Sequence, residues 1–371
     1  MTTRSTEKRS RRSNTLRTGF TTGTCAAAAA KAAAMVLLGQ APPAKVEVGL
    51  PDGGRVELPV TGTRLDGDAA WAAVRKDAGD DPDVTDGVLV EAVVSWIGRD
   101  EVILAAGKGV GIVTKPGLAV PQGEPAINPV PRRMIRQSVR EVTDRGLKVT
   151  ISVPAGEDLA GKTFNPRLGI EGGISILGTS GIVRPFSSSA LRDSLKCSLS
   201  VARACRVKNP VFVPGRIGER AARRHFSVSD EQVVEVSNEW GFMLDEALEY
   251  DFDSILVLGH PGKLAKLADN QWDTHSKRSM SAVPTVRRLA AELLEKEIRE
   301  TNTVEGIFTR LPQEESELLG NEVARRVREA VLKRVEERFT IAAVLVNLKG
   351  DILGRCGDLS PWQTHGTGNA Q

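Results

Sequence analysis

SILVLGHPGKLAKLA, residues 254–268, is an apolar run that enters a glycine turn and resumes as a helical pattern. A short continuous apolar run bounded by Gly and Pro reads as a strand buried on both faces. The same rhythm recurs on either side of it. VFVPG is a short strand entering a glycine turn, followed by the helical RIGERAARR, and VVEVSN precedes the helix-like GFMLDEALEY. Two charged amphipathic helices come next, the second with Val323, Val327, Val331 and Val335 recurring every four residues, and the last strand is IAAVLVNL. Strands alternating with helices predict a short parallel sheet covered by helices. Open sheets of this kind bind ligands at the carboxyl ends of their strands. That singles out the loops at Pro214 to Arg216, at Ser237 and Asn238, and at Gly259, His260, Pro261, Gly262 and Lys263.

Before residue 206 the rhythm differs. A helix runs through the alanines that follow Thr24, residues 45–60 read as a hairpin, and strand-like runs lie at 70–74, 88–97, 102–105 and 147–153. Helices are predicted over 131–144 and 188–206. The fold expected is an α+β N-terminal domain, residues 16–205, followed by a C-terminal α/β domain with a short parallel sheet, residues 206–363. Residues 1–15, basic and nearly free of apolar side chains, and residues 364–371 are expected to be disordered tails.

Composition narrows the function classes. A net charge of +3 over 371 residues does not argue for nucleic acid. The apolar run at 25–38 contains Lys31 and falls short of the ~20 residues a membrane span needs. Cys25, Cys197, Cys205 and Cys356 form no C-x-x-C pair, so neither a zinc site nor a disulfide framework is indicated, and a reduced cytoplasm is the simplest location.

Several clusters carry polar chemistry. In LRTGFTTGTCAAAAAKAAA, residues 16–34, Thr22 or Thr24 can cap a helix whose alanines permit tight packing. The same helix start, with Gly19 and Gly23, also suits a phosphate or carboxylate. RKDAGDDPDVTDG places Asp77, Asp80, Asp81, Asp83 and Asp86 within ten residues. They suit a divalent ion, a general base, contacts to substrate N–H groups, or an acidic turn facing water. The Gly- and Pro-rich loop that follows carries Lys108, Lys115, Arg132 and Arg133, and is too apolar for disorder. It reads as a pocket wall facing an acidic ligand. In TFNPRLGIEGGISILGTSGIVRPFSSS, Asn165 and Arg167 form a polar turn. The strand ending at Gly178, Thr179, Ser180 and Gly181 suits close approach of a ligand, or a crossover between domains. Gly262-Lys263 is no Walker motif, because Val257 stands where Gly is required and Leu264 where Ser or Thr is required. His260 and His275 read as hydrogen-bonded structural residues rather than metal ligands.

Together these clusters resemble one family, the CbiD-type cobalt-precorrin-5B C-1-methyltransferases of anaerobic cobalamin synthesis. TGFTTGTCAAAAAKAA, KDAGDDPDVT, KPGLAVPQGEPAINPVPRRMI, TFNPRLGIEGGISILGTSGIV and GHPGKLAKLA with THS carry the match, in the family's order, over residues 16–276. Pro261 and Asn270 to Trp272 depart from the pattern, and the basic leader lies outside it. The resemblance implies methyl transfer from S-adenosylmethionine to ring carbon 1 of cobalt-precorrin-5B, giving cobalt-precorrin-6A. It implies a small-molecule tetrapyrrole substrate that brings its own cobalt, no metal site of the protein's own, and no nucleic-acid or membrane partner. Self-association and contact with neighbouring pathway enzymes stay open.

On that reading Lys115, Arg132, Arg133, Arg167 and Arg184 clamp the substrate's acetates and propionates, beside Asn165, and Thr21, Thr22 and Thr24 seat another carboxylate. Asp80 and Asp83 are the candidates to steady the sulfonium or relay a proton. The methyl donor is expected at Asn238, Gly259, His260, Gly262 and Lys263, with Gly178 and Thr179 completing its pocket. Two other readings are a phosphate-handling small-molecule enzyme, using the Thr-Gly helix start and the aspartates with magnesium, and a corrinoid carrier without catalysis.

Overall fold

The computed structural model describes residues 16–363; both expected tails lie outside them. Of these, residues 16–114 together with 119–187 form one compact unit, and residues 115–118 together with 188–363 form another.

The first unit is built around a helix with almost no side chains. β1 (Gly19–Phe20) leads into α1 (Thr22–Leu37), in which every alanine is buried. Alanine carries nothing beyond Cβ, so α1 can lie close to a sheet and to a second helix at once. Gly23 shows how close, since a Cβ there would stand 2.7 Å from Cγ of Pro131. Lys31, within the alanine run, extends outward to donate to the Glu47 carbonyl at 2.7 Å and to pair with Glu141.

The hairpin of β2 (Lys45–Gly49) and β3 (Arg55–Pro59) forms as read. The strands β4 (Gly62–Asp66), β5 (Ala69–Arg75), β6 (Leu89–Trp96), β7 (Val102–Ala106) and β10 (Leu147–Ser152) make one sheet in the order β4-β5-β6-β10-β7. All its pairings are antiparallel except β10 with β7. Val90, Ala92 and Val94 of β6 alternate inward to the same core as Val149 and Ile151 of β10. α2 (Pro129–Arg140) starts at Pro129, where the missing N–H of proline costs nothing, and buries Met134, Ile135, Ser138 and Val139.

The two Gly-rich loops prove to be one structure. β8 (Gly109–Val110) pairs with β12 (Gly173–Ile174), and β9 (Ile112–Val113) with β11 (Ile170–Glu171). Between these pairs, Ile176 N–H donates to Ala126 at 2.8 Å and Asn128 N–H to Ile176 at 2.9 Å. Gly109, at φ 72°, allows this, because a Cβ there would meet the Val153 carbonyl at 2.0 Å. β13 (Ile182–Val183) closes the unit by pairing antiparallel with β1.

The short helix α3 (Gly156–Ala160) follows β10 in the first unit, and the second unit opens with α4 (Ser188–Ala204). β14 (Val211–Val213), β15 (Val233–Glu235), β16 (Ser254–Gly259) and β17 (Thr340–Val346) then form a parallel sheet, all six residues of β16 being buried. α5 (Arg216–His225), α6 (Trp240–Ala247), α7 (Pro261–Ala268), α8 (Val283–Leu294), α9 (Val304–Phe308) and α10 (Gln313–Arg334) follow or separate these strands. The valines at 323, 327, 331 and 335 are fully buried, as their spacing predicts. The sheet has one strand more than its sequence suggests. β18 (Ile352–Cys356) adds to β17 antiparallel, giving the order β15-β14-β16-β17-β18.

Candidate active site

In the first unit, three segments distant in sequence converge on the start of α1. The cap is Thr21 rather than Thr22 or Thr24: its backbone is extended and its hydroxyl accepts from Thr24 N–H at 3.2 Å. Thr22 Oγ1 accepts from Leu177 N–H at 2.9 Å and donates to the Leu177 carbonyl at 3.2 Å. Thr24 Oγ1 donates to Gly181 at 2.6 Å, and Gly23 N–H donates to Leu177 at 3.1 Å. These threonines are a clasp between α1 and residues 177–181. The helix start expected to seat a carboxylate is filled by the protein's own main chain.

The acidic loop is pinned to the same place. Arg17 donates from its main chain to Asp80 at 2.6 Å and pairs with Asp77 through its side chain. Asp86 accepts from Ala78 N–H and Asp81 from Phe186 N–H, each at 2.8 Å. Asp83 accepts from Lys76 Nζ at 2.8 Å and from the N–H and hydroxyl of Thr85 at 2.7 Å each. Burial pushes the Asp83 carboxyl up, but the hydrogen bond and charge of Lys76, with the Thr85 bonds, outweigh it and hold the group below the ordinary carboxylate range. A carboxylate so engaged is a poor proton acceptor. Asp80, exposed and with one oxygen bonded, keeps capacity for a ligand. Cys25, in the first turn of α1, is fully buried and its thiol is pushed up to about 12 by that burial, so it is no nucleophile.

The cations divide into internal and free. Arg132 donates to the carbonyls of Ile127 (2.6 Å) and Pro125 (3.0 Å) and pairs with Glu124, bracing the loop rather than facing a ligand. Asn165 is buried, donating to the Gly173 carbonyl and accepting from Ser175. Arg167 lies over Phe164, 5.9 Å from the ring centroid. Arg133 and Arg184 are exposed and carry no partner among the described residues. Thr179 is exposed beside Gly178, whose φ of 133° places its α-carbon against Thr21. Lys115, in the second unit, pairs with Glu231 at 2.7 Å, and its hydrogen bond, with help from the local main chain, holds the Glu231 carboxyl to about 2.

In the second unit the carboxyl ends of β15 and β16 gather most of the expected donor-site residues. His260 caps α7: its Nδ1 accepts from Gly262 N–H at 3.0 Å, so Nε2 carries the proton and donates to Glu305 at 2.9 Å. Both ring nitrogens are taken, and so is the first N–H of the helix. Pro261, at the first position of the helix, supplies none. No phosphate cradle is left at this helix start. Gly259 packs on Pro214, where a Cβ would stand 2.8 Å from the proline ring.

Asn238 accepts from Thr274 at both its carbonyl (3.0 Å) and its side-chain oxygen (3.3 Å), leaving its amide hydrogens unengaged among the described residues. Lys263 is half-buried without a partner among the described residues; burial and the nearby Lys266 charge lower its pKa. Two features here escaped the sequence reading. Lys266 is buried and donates to the Thr274 carbonyl at 3.2 Å and to Ser279 at 2.8 Å. Glu239 is buried between Arg192 (2.8 Å) and Arg278 (3.3 Å). The signal for Glu239 was its position directly after the strand-end residue Asn238.

Among the described residues no group of three or more His, Cys, Asp or Glu is placed to hold a metal ion, and no helix is long and apolar enough to cross a membrane.

Comparison with known proteins bears on the whole chain. Residues 9–185 match the family model CbiD, and residues 273–357 match the model described as CbiD, C-terminal domain. A cobalt-precorrin-5B C(1)-methyltransferase of Syntrophotalea carbinolica is 57% identical over 94% of this chain and 99% of the relative. Proteins of the same name from Alkaliphilus metalliredigens (40% identical, 92% of each chain) and Methanocaldococcus jannaschii (41%, covering 91% and 95%) are also similar. A solved structure, the cobalamin biosynthesis protein (cbiD) of Archaeoglobus fulgidus, is 32% identical over 71% of this chain and 83% of its own, with a TM-score of 0.38. With both family models matched in order and relatives aligned nearly end to end, the chain belongs to the CbiD family.

Proposed function

We propose that this chain methylates ring carbon 1 of cobalt-precorrin-5B to give cobalt-precorrin-6A, in the anaerobic route to cobalamin, with S-adenosylmethionine as donor. The observation that carries this is the 57% identity to a cobalt-precorrin-5B C(1)-methyltransferase across 99% of that protein. Cobalt comes with the substrate. The four cysteines are free thiols, which suits a reducing cytoplasm.

The donor's sulfonium supplies an electrophilic methyl group, its C–S electron pair leaving with sulfur as the ring carbon's pair forms the new C–C bond. The protein's task is then alignment, which can supply up to ~7–11 kcal/mol. The first unit holds the tetrapyrrole, with Arg133 and Arg184 offering bidentate contacts to its carboxylates and Arg167 and Thr179 lying in the same unit. The second unit holds the donor. Lys263 and the amide hydrogens of Asn238 receive its amino-acid carboxylate, while Gly259, His260 and Gly262 shape the strand end beneath. Within the first unit Asp80, rather than Asp83, is the carboxylate able to take a proton, because it keeps an unbonded oxygen among the described residues.

Anaerobic incubation with cobalt-precorrin-5B and methyl-labelled S-adenosylmethionine tests this, with release of S-adenosylhomocysteine followed in parallel. Label at ring carbon 1 is the expected result. Binding of the tetrapyrrole without transfer, while an authentic family member is active alongside, would leave a corrinoid carrier and withdraw the enzyme assignment.

A further inference from the structure

Phe186 is 71% exposed, in a chain where aromatic residues make up 4% of the sequence. Its φ of 57° lies in the left-handed region, which disfavours any side chain and is ordinarily taken by glycine or asparagine. An aromatic ring contributes to a fold by being buried, and this one is not. The conformation is nonetheless held: Phe186 N–H donates to Asp81 Oδ1 at 2.8 Å, from the acidic loop that also carries Asp80. Two residues earlier stands Arg184, exposed and without a partner among the described residues. An exposed ring kept in a costly backbone state by a dedicated carboxylate, beside an unpaired guanidinium, has no structural return. Such strain concentrates where a ligand is met.

We infer that Phe186 is a substrate-contacting residue whose ring lies against a face of the conjugated macrocycle while Arg184 pairs with a carboxylate at the macrocycle's edge. A flat, conjugated ligand rimmed with acetates and propionates presents those two surfaces together, an apolar π-face and anionic edges. The inference rests on the reading that the substrate is a tetrapyrrole. Asp81 acts through Phe186, as a positioning residue.

The test is anaerobic titration of the full chain with cobalt-precorrin-5B in the absence of methyl donor, beside thermal unfolding of each variant. Phe186→Gly relieves the left-handed strain and removes the ring. It is expected to weaken binding about tenfold or more, the scale of one aromatic stacking contact, with an unfolding midpoint unchanged or raised. Phe186→Trp keeps a stacking face and is expected to bind within about threefold of the unmodified chain. Undiminished binding by Phe186→Gly overturns the inference, as does a lowered midpoint, which would reveal a packing role. Failure of the unmodified chain to bind, with S-adenosylmethionine still bound, overturns the tetrapyrrole reading and this inference with it.

Discussion

Lys76, only 2% exposed, gives its ammonium to Asp83 at 2.8 Å, on a loop whose other carboxylates hold main-chain N–H groups. The pair anchors the acidic loop from within. Asp83→Asn leaves a buried ammonium without its counter-charge, a change that costs about 3 kcal/mol, the low end of the range because Asp83 is partly exposed. Urea unfolding at pH 7 reads that loss directly. Because the folded carboxyl titrates below its unfolded value of ~3.9, the contribution of Asp83 is complete above about pH 4 and fades as pH falls through the folded value. The variant should therefore lose that part of the acid limb. An unchanged stability with abolished methyl transfer would instead make Asp83 the catalytic carboxylate.

Arg132 is bonded to its own loop, whereas its neighbour Arg133 is exposed and has no partner among the described residues. Arg133→Ala and Arg184→Ala should each weaken tetrapyrrole binding about tenfold while leaving S-adenosylmethionine affinity and unfolding midpoint unchanged, the scale of one charge-assisted contact. Arg132→Ala removes the brace on residues 124–127 and should lower stability by about 1–3 kcal/mol. Isothermal titration and thermal unfolding on the three variants separate the roles. A stable Arg132→Ala with impaired tetrapyrrole binding would return Arg132 to the ligand.

The adjacent arginines also show where sequence reading stops. α2 buries Met134, Ile135, Ser138 and Val139, and Arg132 lies three residues before Ile135, on the edge of that stripe, so the 3.6 period already hinted that it points inward. What it meets there depends on the pairing of residues 107–128 with 165–183, a contact between distant segments that no local pattern encodes. β16 and α1 were legible because burial on all sides leaves an unmistakable composition. β18 was not: Gly354 and Arg355 interrupt its apolar pattern, and Gly354 is required because a Cβ there would meet the Gly320 carbonyl carbon at 2.0 Å. Thr21, Thr22 and Thr24 are chemically alike in sequence, and only the extended backbone at Thr21 decides which one caps.

Gly178 supports the clasp by having no side chain. Its φ is 133°, and a Cβ would stand 2.4 Å from Thr21 Oγ1. Gly178→Ala therefore meets both backbone strain and a clash with the cap of α1, and should cost about 2–3 kcal/mol. Hydrogen exchange offers the sharper readout. Protection should fall at Gly23 and Leu177, whose N–H groups join the clasp, while residues 254–259 stay protected. Uniform loss across both units would mean that the clasp is not a local element.

Lys263 sits half-buried with no counter-ion among the described residues, its pKa lowered by burial and by the Lys266 charge, a cation without a counter-charge among them at the carboxyl end of β16. On the proposed placement of the donor, its carboxylate would supply the missing charge. Lys263→Met should bind S-adenosylmethionine about 10- to 100-fold more weakly, matching the loss of one charge-assisted contact, while its stability at pH 7 is equal to or above that of the unmodified chain. The pH dependence gives a second handle. A lysine whose folded pKa lies below its unfolded value of ~10.4 leaves the native state with fewer bound protons, so stability rises with pH between the two values. That rise should disappear in Lys263→Met. Donor binding should likewise take up protons in the same window, because the carboxylate raises the lysine's pKa again, and calorimetry in buffers of different ionisation enthalpy measures that uptake. A Lys263→Met chain that is less stable yet binds the donor normally would move the donor's carboxylate away from this strand end.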